Sequence, residues 1–270
     1  MSAPSNLGPE PRSRGGRPKQ GDPVIDRALR LLECFDTDRP RLTLGELSKR
    51  SGIPLSSTHR LADRLAAWGA LERDDEGRFT VGLRLYEVAS LAPRAHGLRE
   101  RALPYMGDLA EVTRQHVLLG VLDGEEALLV ERLSGHRAIP VLYRVGGRLP
   151  LHSTGAGLVL LAFADRDFRE AYLARPHTHE PEHTPVSAQD LRRRVADIRR
   201  ERVAVLHRRV PEPLVTIAAP VFGADEEVVA ALSVIVPEEY AEAHRLVAPV
   251  HMATRAISRT LGARRSIGLT

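Results

Sequence analysis

Residues 43–65 constrain the fold more than any other stretch of the chain, and they read TLGELSKRSGIPLSSTHRLADRL. Thr43 and Glu46 have the spacing of a capping box, in which two side chains satisfy backbone N–H groups at the start of a helix. Gly52 is suited to end that helix, because glycine readily adopts the left-handed backbone needed there. Pro54 fits the first turn of a second helix. Two short helices joined by this tight turn predict a helix-turn-helix.

The second predicted helix has two unlike faces. Leu61 and Leu65 form an apolar stripe, whereas the other face would carry short hydroxyls and basic groups. Hydroxyls let a helix lie deep in a groove, and arginines reach phosphates and guanine edges. The candidate DNA contacts on this face are Ser56, Ser57, Thr58, His59, Arg60 and Arg64, and Thr43 at the start of the first helix is a further candidate. The alternative is a pair of amphipathic helices in an unrelated bundle, because helix-turn-helix patterns are short.

A β-hairpin is predicted directly after this helix. Residues 71–73 and 78–81 have the composition of strands, and the DDEG between them is typical of a turn. A hairpin in this position is the wing of a winged helix-turn-helix, which we assign to residues 23–82. The tip of the wing holds three acids that phosphates would repel, so if the wing contacts DNA at all we expect the flanking Arg73 and Arg78, and not the tip, to face it.

Composition limits the class of protein. A length of 270 residues suggests two domains, and a net charge of +4 permits nucleic acid as a partner without requiring it. The single cysteine, Cys34, excludes an internal disulfide and a cysteine-rich zinc site; it fits a reducing cytoplasm and a small core residue. The longest apolar runs, residues 158–164 and 228–236, are too short to cross a bilayer. We therefore predict a cytoplasmic protein that is not inserted in a membrane.

The N-terminal segment has the composition of a disordered tail. Residues 1–22 are rich in Pro, Gly, Ser and Arg, which cannot bury enough surface to order a chain. Arg14 and Arg17 resemble the basic arms that enter narrow minor grooves of DNA, and a solvated tail with scattered charge is the alternative. Residues 24–35 then predict the first helix of the winged domain, because they have a wide apolar face.

A helix that is apolar nearly all round is predicted at residues 83–92, ended by Pro93. A small winged domain offers little to cover such a helix, so we expect a partner subunit to cover it. We assign residues 83–97 to a linker helix. This leaves residues 98–264 for a second domain and residues 265–270 for a tail.

The second domain is predicted to be an antiparallel sheet covered by helices, which makes the fold α+β. Hairpin turns join some of its apolar runs in pairs. The predicted strands lie at 116–122, 127–133, 139–144, 203–210, 215–221 and 228–236, and the helices at 98–113, 158–163, 187–202 and 240–261.

Residues 149–157, LPLHSTGAG, lead into one of these helices. Small residues at a helix start leave several backbone N–H groups open to an anion such as a carboxylate. Close packing of the helix on the sheet would also require these glycines, and the two interpretations are compatible.

Five segments of the chain resemble the IclR family of bacterial transcriptional regulators. They occur in the family's order and spacing across residues 24–262, and they read VIDRALRLLECF, LTLGELSKRSGIPLSSTHRLADRLAAWGAL, GRFTVGLRLYEVA, LPLHSTGAGLVLLAF and TIAAPVFGADEEVVAALSVIVP. The resemblance implies an N-terminal winged helix-turn-helix, a linker helix and a C-terminal effector domain with a GAF-like fold. It also implies homodimers or homotetramers on palindromic double-stranded DNA, and small-molecule effectors that are often carboxylates or aromatic acids.

The resemblance also implies which residues carry the function. Arg60 falls on the family's near-invariant arginine. The implied effector-lining positions are Ala138, Val141, Leu149, Gly155, Ala156, Leu206, Leu214, Thr216, Ser233 and Ile235. The family's regulators that bind small keto-acids have an aspartate at the position of Leu206 and a serine at the position of Ile235. This departure favours a larger, more apolar ligand over a glyoxylate- or pyruvate-like one, although His152, His207 or Arg144 could restore some polarity.

Two rival sites are weaker. The run HTHEPEH at residues 177–183 resembles a metal cluster in composition, but it lacks the helical i, i+4 spacing of zinc ligands, which favours a solvated loop. Ser153 and His152 are adjacent and no nucleophile elbow is present, so we expect no catalytic site, metal or cofactor. We therefore predict a ligand-responsive DNA-binding regulator, most simply a repressor. The alternative is a metabolite-converting enzyme with an accessory DNA-binding domain.

Overall fold

The computed structural model describes residues 22–36, 38–136, 138, 141, 143–179, 184–208, 213–239 and 243–264. The chain divides into two compact units, with the boundary between Leu91 and Ala92. Arg14 and Arg17, and all but the last residue of the predicted N-terminal tail, lie outside the described residues, as do residues 265–270.

The first unit contains four helices and a two-stranded hairpin among its described residues. These elements are α1 (Val24–Leu32), α2 (Leu44–Ser51), α3 (Leu55–Trp68), β1 (Leu71–Arg73), β2 (Phe79–Val81) and α4 (Leu83–Ser90). The strands are antiparallel, with Glu72 opposite Thr80. Leu42 bridges to Phe79 and brings the segment before α2 against the hairpin. The order of helices, turn and hairpin confirms the predicted winged helix-turn-helix.

The capping box and the glycine turn fold as the sequence predicts. The Thr43 hydroxyl accepts a hydrogen bond from the Glu46 backbone N–H at 3.3 Å, and the Thr43 N–H donates to the Glu46 carboxylate at 2.7 Å. The same N–H holds the pKa of Glu46 below its ordinary value. Gly52 ends α2 with φ +68°, in the left-handed region. These contacts define where α2 begins and ends.

A small apolar core holds the first unit together. It is built from Leu31, Cys34, Leu42, Leu47, Ile53, Leu61, Ala62, Leu71 and Phe79. Cys34 is a buried core residue, as predicted. By contrast, α4 has no buried residue, and most of its apolar side chains are exposed, as Leu83 at 71% and Tyr86 at 68% illustrate.

The second unit is an antiparallel sheet with helices on both faces. Its elements are α5 (Pro93–Thr113), β3 (His116–Asp123), β4 (Glu126–Ser134), β5 (Arg148–Pro150), α6 (Gly155–Phe163), α7 (Arg166–Leu173), β6 (Thr178–His179), β7 (Thr184–Pro185), α8 (Ala188–Glu201), β8 (Ala204–Arg208), β9 (Leu214–Phe222), β10 (Val228–Pro237), a 3-10 turn (Ala243–Leu246) and α9 (Val247–Thr260). Six strands form the main sheet in the order β5-β4-β3-β10-β9-β8, and β6 pairs with β7 apart from it.

Side chains alternate between the two faces of each strand, so the sheet contributes residues to two apolar cores. Val117, Ile217 and Val234 belong to the core under α5 and α9. Ala218 and Ala231 face the other way, into the core that α6 and α8 cover. The predicted α+β architecture is therefore correct. No helix in the described part of the chain combines the length and apolar character needed to span a bilayer.

Several element boundaries differ from the sequence predictions. Pro93 begins α5, because proline is well suited to a first helical turn, and α4 ends at Ser90. The predicted linker helix at 83–97 therefore comprises α4 and the start of α5. No strand occupies the described positions 141, 143 and 144, where a strand was expected. The predicted domain boundaries stay predictions.

The close approach of α6 to the sheet leads to a stability prediction. A Cβ added at Gly155 would lie 2.5 Å from the Thr216 Cγ2 atom on β9. We expect Gly155→Ala to lower the free energy of unfolding by about 1–3 kcal/mol through overpacking, measured by urea denaturation. Gly107→Ala is the control: nothing lies within 4 Å of a Cβ there, and α5 should gain about 0.5–1 kcal/mol. An equal change in the free energy of unfolding in the two variants would contradict the tight packing of α6 on β9.

Candidate functional site

The outward side of α3 is set by what its inner side buries. Thr58, Leu61 and Ala62 are buried in the first unit. On the opposite side, Arg60 and Asp63 are exposed. This outward side is a continuous polar strip along the second helix of the helix-turn-helix, and it can meet a groove of DNA without disturbing the core.

Thr58 is a correction to the predicted set of DNA contacts. Its side chain is fully buried, and its hydroxyl lies 3.1 Å from the carbonyl oxygen of Ile53 and 3.2 Å from that of Pro54. Thr58 precedes Leu61 by three residues and Leu65 by seven, so helical periodicity places it with the apolar stripe. The expectation that it lies on the outer face is therefore wrong; its hydroxyl ties α3 to the preceding turn.

The other predicted contacts on α3 are accessible to different degrees. Ser56 is exposed and Ser57 is half-buried. Arg60 and Arg64 are exposed, and no ion pair or hydrogen bond joins their guanidinium groups to other described residues. Two unpaired cations on an exposed face are available to phosphates or guanine edges. Thr43 is exposed as well, but its hydroxyl is engaged by Glu46.

His59 is held by a carboxylate that the sequence reasoning missed. Its Nδ1 lies 3.0 Å from Asp63 Oδ2, one helical turn along α3. The other oxygen of Asp63 accepts from Arg73 Nη2 at 2.9 Å. The i, i+4 spacing of His59 and Asp63 on one helix was a signal in the sequence that pointed to this pair.

The wing offers fewer free cations than expected. Arg78 is half-buried and bonds Asp74 at 2.9 Å and Glu76 at 2.8 Å. The hydrogen bond from its side chain to Asp74 raises the pKa of Arg78. Arg73 is bound by Asp63 and lies over the Phe79 ring, 4.5 Å from its centre. Both arginines are thus paired with acids of the first unit: Arg78 with acids of its own hairpin, and Arg73 with an acid on α3.

A cavity in the second unit brings together eight of the ten implied effector positions. It lies between the start of α6 and strands β8, β9 and β10. Its walls are Leu118, Tyr143, Leu149, Ser153, Thr154, Gly155, Ala156, Leu206, Leu214, Thr216, Ser233 and Ile235. Ala138 and Val141 do not line it, although Val141 packs against the cluster of buried residues to which Leu214 and Ile235 belong. Leu118, Tyr143, Ser153 and Thr154 are lining residues absent from the implied set.

The cavity combines apolar walls with several hydroxyl groups and the N-terminal end of α6. Of the described residues that line it, none carries a charge. The hydroxyls of Ser153, Thr216 and Ser233 form no hydrogen bond with other described residues. Thr154 caps α6 by accepting from the Gly157 N–H at 3.2 Å. The free volume is only about 20 Å³, so a ligand larger than water requires side chains or a loop to move.

The histidine-containing loop does not form a ligand cluster in its described part. His177 stacks on Tyr172 with ring centres 4.3 Å apart, and its Nε2 lies 2.8 Å from the Tyr172 carbonyl oxygen. His152 stacks on His177 and bonds the Tyr172 hydroxyl, so it serves packing and does not line the cavity. Residues 180–183 lie outside the described ranges. Within those ranges, no three His, Cys, Asp or Glu side chains are arranged to hold a metal ion.

Two family models match the chain. One, described as the IclR helix-turn-helix domain, matches residues 24–75. The other, described as bacterial transcriptional regulator IclR C-terminal, matches residues 92–259. The two matched ranges fall in the first and second compact units respectively.

Individual relatives match along most of their length. The HTH-type transcriptional regulator BhcR of Paracoccus denitrificans (strain Pd 1222) is 32% identical, over 84% of this chain and 83% of its own. The transcriptional repressor IclR of Escherichia coli (strain K12) is 27% identical, over 86% of this chain and 88% of its own.

A solved structure also resembles the whole fold. It is an IclR homolog complexed with 4-hydroxybenzoate from Microbacterium hydrocarbonoxydans, 34% identical to this chain. The TM-score is 0.83, covering 88% of this chain and 99% of that one. The likeness confirms an N-terminal winged helix-turn-helix followed by a GAF-like antiparallel-sheet domain.

The buried position of Thr58 leads to a prediction that separates stability from DNA contact. Thr58→Val keeps the volume and removes the hydroxyl, while Ser48 still donates to the Ile53 carbonyl at 2.6 Å. We expect the free energy of unfolding to fall by about 0.5–1.5 kcal/mol, measured in urea, with affinity for a promoter duplex unchanged. Lost DNA affinity at unchanged stability would show that the Thr58 hydroxyl contacts DNA after all.

Proposed function

The chain belongs to the IclR family of bacterial transcriptional regulators, and we propose that it is a repressor whose grip on operator DNA responds to a small aromatic or organic acid. Membership of a family of regulators confirms the sequence prediction of a DNA-binding regulator and not an enzyme. The observation that carries the proposal is the presence, in one chain, of two exposed and unpaired arginines on the polar strip of α3 and of a cavity lined by hydroxyls and apolar side chains, among the described residues.

The proposed DNA contact is insertion of α3 into a major groove. A major groove admits one α-helix, and short side chains such as Ser56 let the backbone approach the base edges. Arg60 and Arg64, unpaired among the described residues, would neutralise phosphates or bind guanine. Ser57 and His59 complete this surface on α3. Thr43 and Arg78 remain candidates for DNA contact. They are less available than the arginines of α3, because Glu46 and Asp74 already engage them.

A homodimer is the proposed assembly on DNA. Exposed apolar side chains occupy α1 and α4, with Ile25 71% exposed, Leu29 52%, Leu83 71% and Val88 53%. Exposed apolar surface of this extent is typical of an interface between proteins. Two copies joined through these helices would present two recognition helices to one face of DNA, about 34 Å apart. Two such dimers would form a tetramer.

The proposed ligand is an acid with an apolar ring or chain. A carboxylate would meet the N–H groups at the start of α6 and the hydroxyls of Ser153, Thr216 and Ser233. Leu206 and Ile235 would pack on its apolar part. The relative bound to 4-hydroxybenzoate supports a ligand of this kind and size.

Regulation follows if the ligand prefers one conformation. The cavity holds about 20 Å³ of free volume, so the ligand must bind an opened form better than this closed one. A ligand shifts a conformational equilibrium only by its difference in affinity for the two states. In a dimer that opening would change the spacing of the two recognition helices, and with it the affinity for the operator.

Arg60 provides a direct test of the DNA surface. Arg60→Ala should weaken binding to a duplex from upstream of the chain's own gene at least tenfold in a mobility-shift assay, because a charged contact in the groove is lost. The melting temperature should not change, since the side chain is exposed. Arg193→Ala removes the same charge from an exposed position on α8 and should leave binding intact. Equal DNA affinity of Arg60→Ala and the unmodified chain would refute the assigned role.

Leu206 provides the matching test of the cavity. Leu206→Asp places a carboxylate where the proposed acid binds, so 4-hydroxybenzoate should raise the melting temperature of the unmodified chain and fail to raise that of the variant. Val205→Asp is the control, since Val205 neighbours Leu206 on β8 but does not line the cavity and is 45% exposed. The same melting shift in both variants would contradict the assigned cavity.

A further inference from the structure

Three side chains of the first unit lie in a row, with Asp63 in polar contact with both His59 and Arg73. His59 Nδ1 lies 3.0 Å from Asp63 Oδ2, and Arg73 Nη2 donates to Asp63 Oδ1 at 2.9 Å. Arg73 in turn lies over the buried ring of Phe79. Asp63 therefore joins the outward side of α3 to the wing strand β1.

This arrangement determines which nitrogen of His59 faces outward. A carboxylate is only an acceptor when ionised, so the ring nitrogen next to it must carry a hydrogen. The hydrogen on Nδ1 thus faces the Asp63 carboxylate, and Nε2 has no partner among the described residues. The side chain of His59 is 54% exposed. In a neutral ring held in this tautomer, the exposed Nε2 is a hydrogen-bond acceptor.

A hydrogen-bond acceptor at His59 Nε2 can pair only with base edges that carry a hydrogen-bond donor. In the major groove, the amino groups of adenine and cytosine donate, whereas guanine presents two acceptors. We propose that Asp63 is a positioning residue for sequence recognition, which fixes the His59 ring so that Nε2 selects a base with a major-groove amino group. This inference rests on the proposed insertion of α3 into DNA.

The geometry argues against a direct contact of Asp63 with a base. Both of its oxygens are already engaged, one by His59 and one by Arg73. A carboxylate on a face that meets phosphates is also unfavourable by itself. Its position on the outward side of α3 is explained if it orients His59 and if Arg73 offsets its charge.

The test is base preference measured by selection from a random duplex library at pH 8, where imidazole side chains are ordinarily neutral. Full-length chain is compared with His59→Ala, Asp63→Ala and the double variant. Asp63→Glu is the rescue, because a longer carboxylate at the same position can still reach the ring. Asp75→Ala is the matched control, since it removes an exposed acid from the wing tip without touching His59.

We expect His59→Ala and Asp63→Ala to lose preference for an amino-bearing base at one and the same position, by about fivefold or more. The double variant should lose no more than either single one. Asp63→Glu should recover most of the preference, and Asp75→Ala should keep all of it. Affinity of Asp63→Ala for unselected duplex at low salt should be equal or higher, because a negative charge is removed.

Four results would overturn the inference: unchanged preference in Asp63→Ala, unchanged preference in His59→Ala, losses at different base pairs, or a further loss in the double variant. Lower affinity of Asp63→Ala for unselected duplex would assign Asp63 a merely structural role and count equally against it. Failure of the unmodified chain to bind any duplex refutes the proposed function itself. The two failures are thereby distinguished in one experiment.

Discussion

Burial of one side of α3 determines what the rest of the first unit can present to DNA. Thr58, Leu61 and Ala62 are held by the small core, and the Thr58 hydroxyl secures the helix to the turn before it. Because burial of the inner side fixes the rotation of α3 about its own axis, Arg60 and Asp63 point outward. The capping box at Thr43 fixes the start of α2, the helix before that turn. Recognition thus depends on packing that makes no contact with DNA.

A similar constraint shapes the second unit. Gly155 allows α6 to approach β9 so closely that any side chain there would collide with Thr216. The start of α6 and the hydroxyl-bearing residues Thr216 and Ser233 line the same cavity. Helix packing and anion binding were alternative readings of the glycines at 155 and 157. The structure shows the packing, and the binding is compatible with it.

Local patterns in the sequence predicted most of the fold, and tertiary contacts explain what they missed. The capping box, the glycine turn and the alternating strands depend on neighbours in sequence, so they were read correctly. The residue type of Thr58 is typical of a DNA contact, whereas its helical periodicity with Leu61 places it in the core. The pairing of Arg73 with Asp63 joins separate elements, and the lining role of Leu118 depends on strand register. Such contacts become visible only when the chain is folded.

Footprinting tests most directly whether two recognition helices bind one face of a DNA double helix. The full-length chain would be bound at low salt to a duplex from upstream of its own gene and treated with hydroxyl radicals. The account predicts two protected patches on the same face, about 34 Å apart from centre to centre. A duplex with no protection, or with uniform protection that shows no helical spacing, would contradict it.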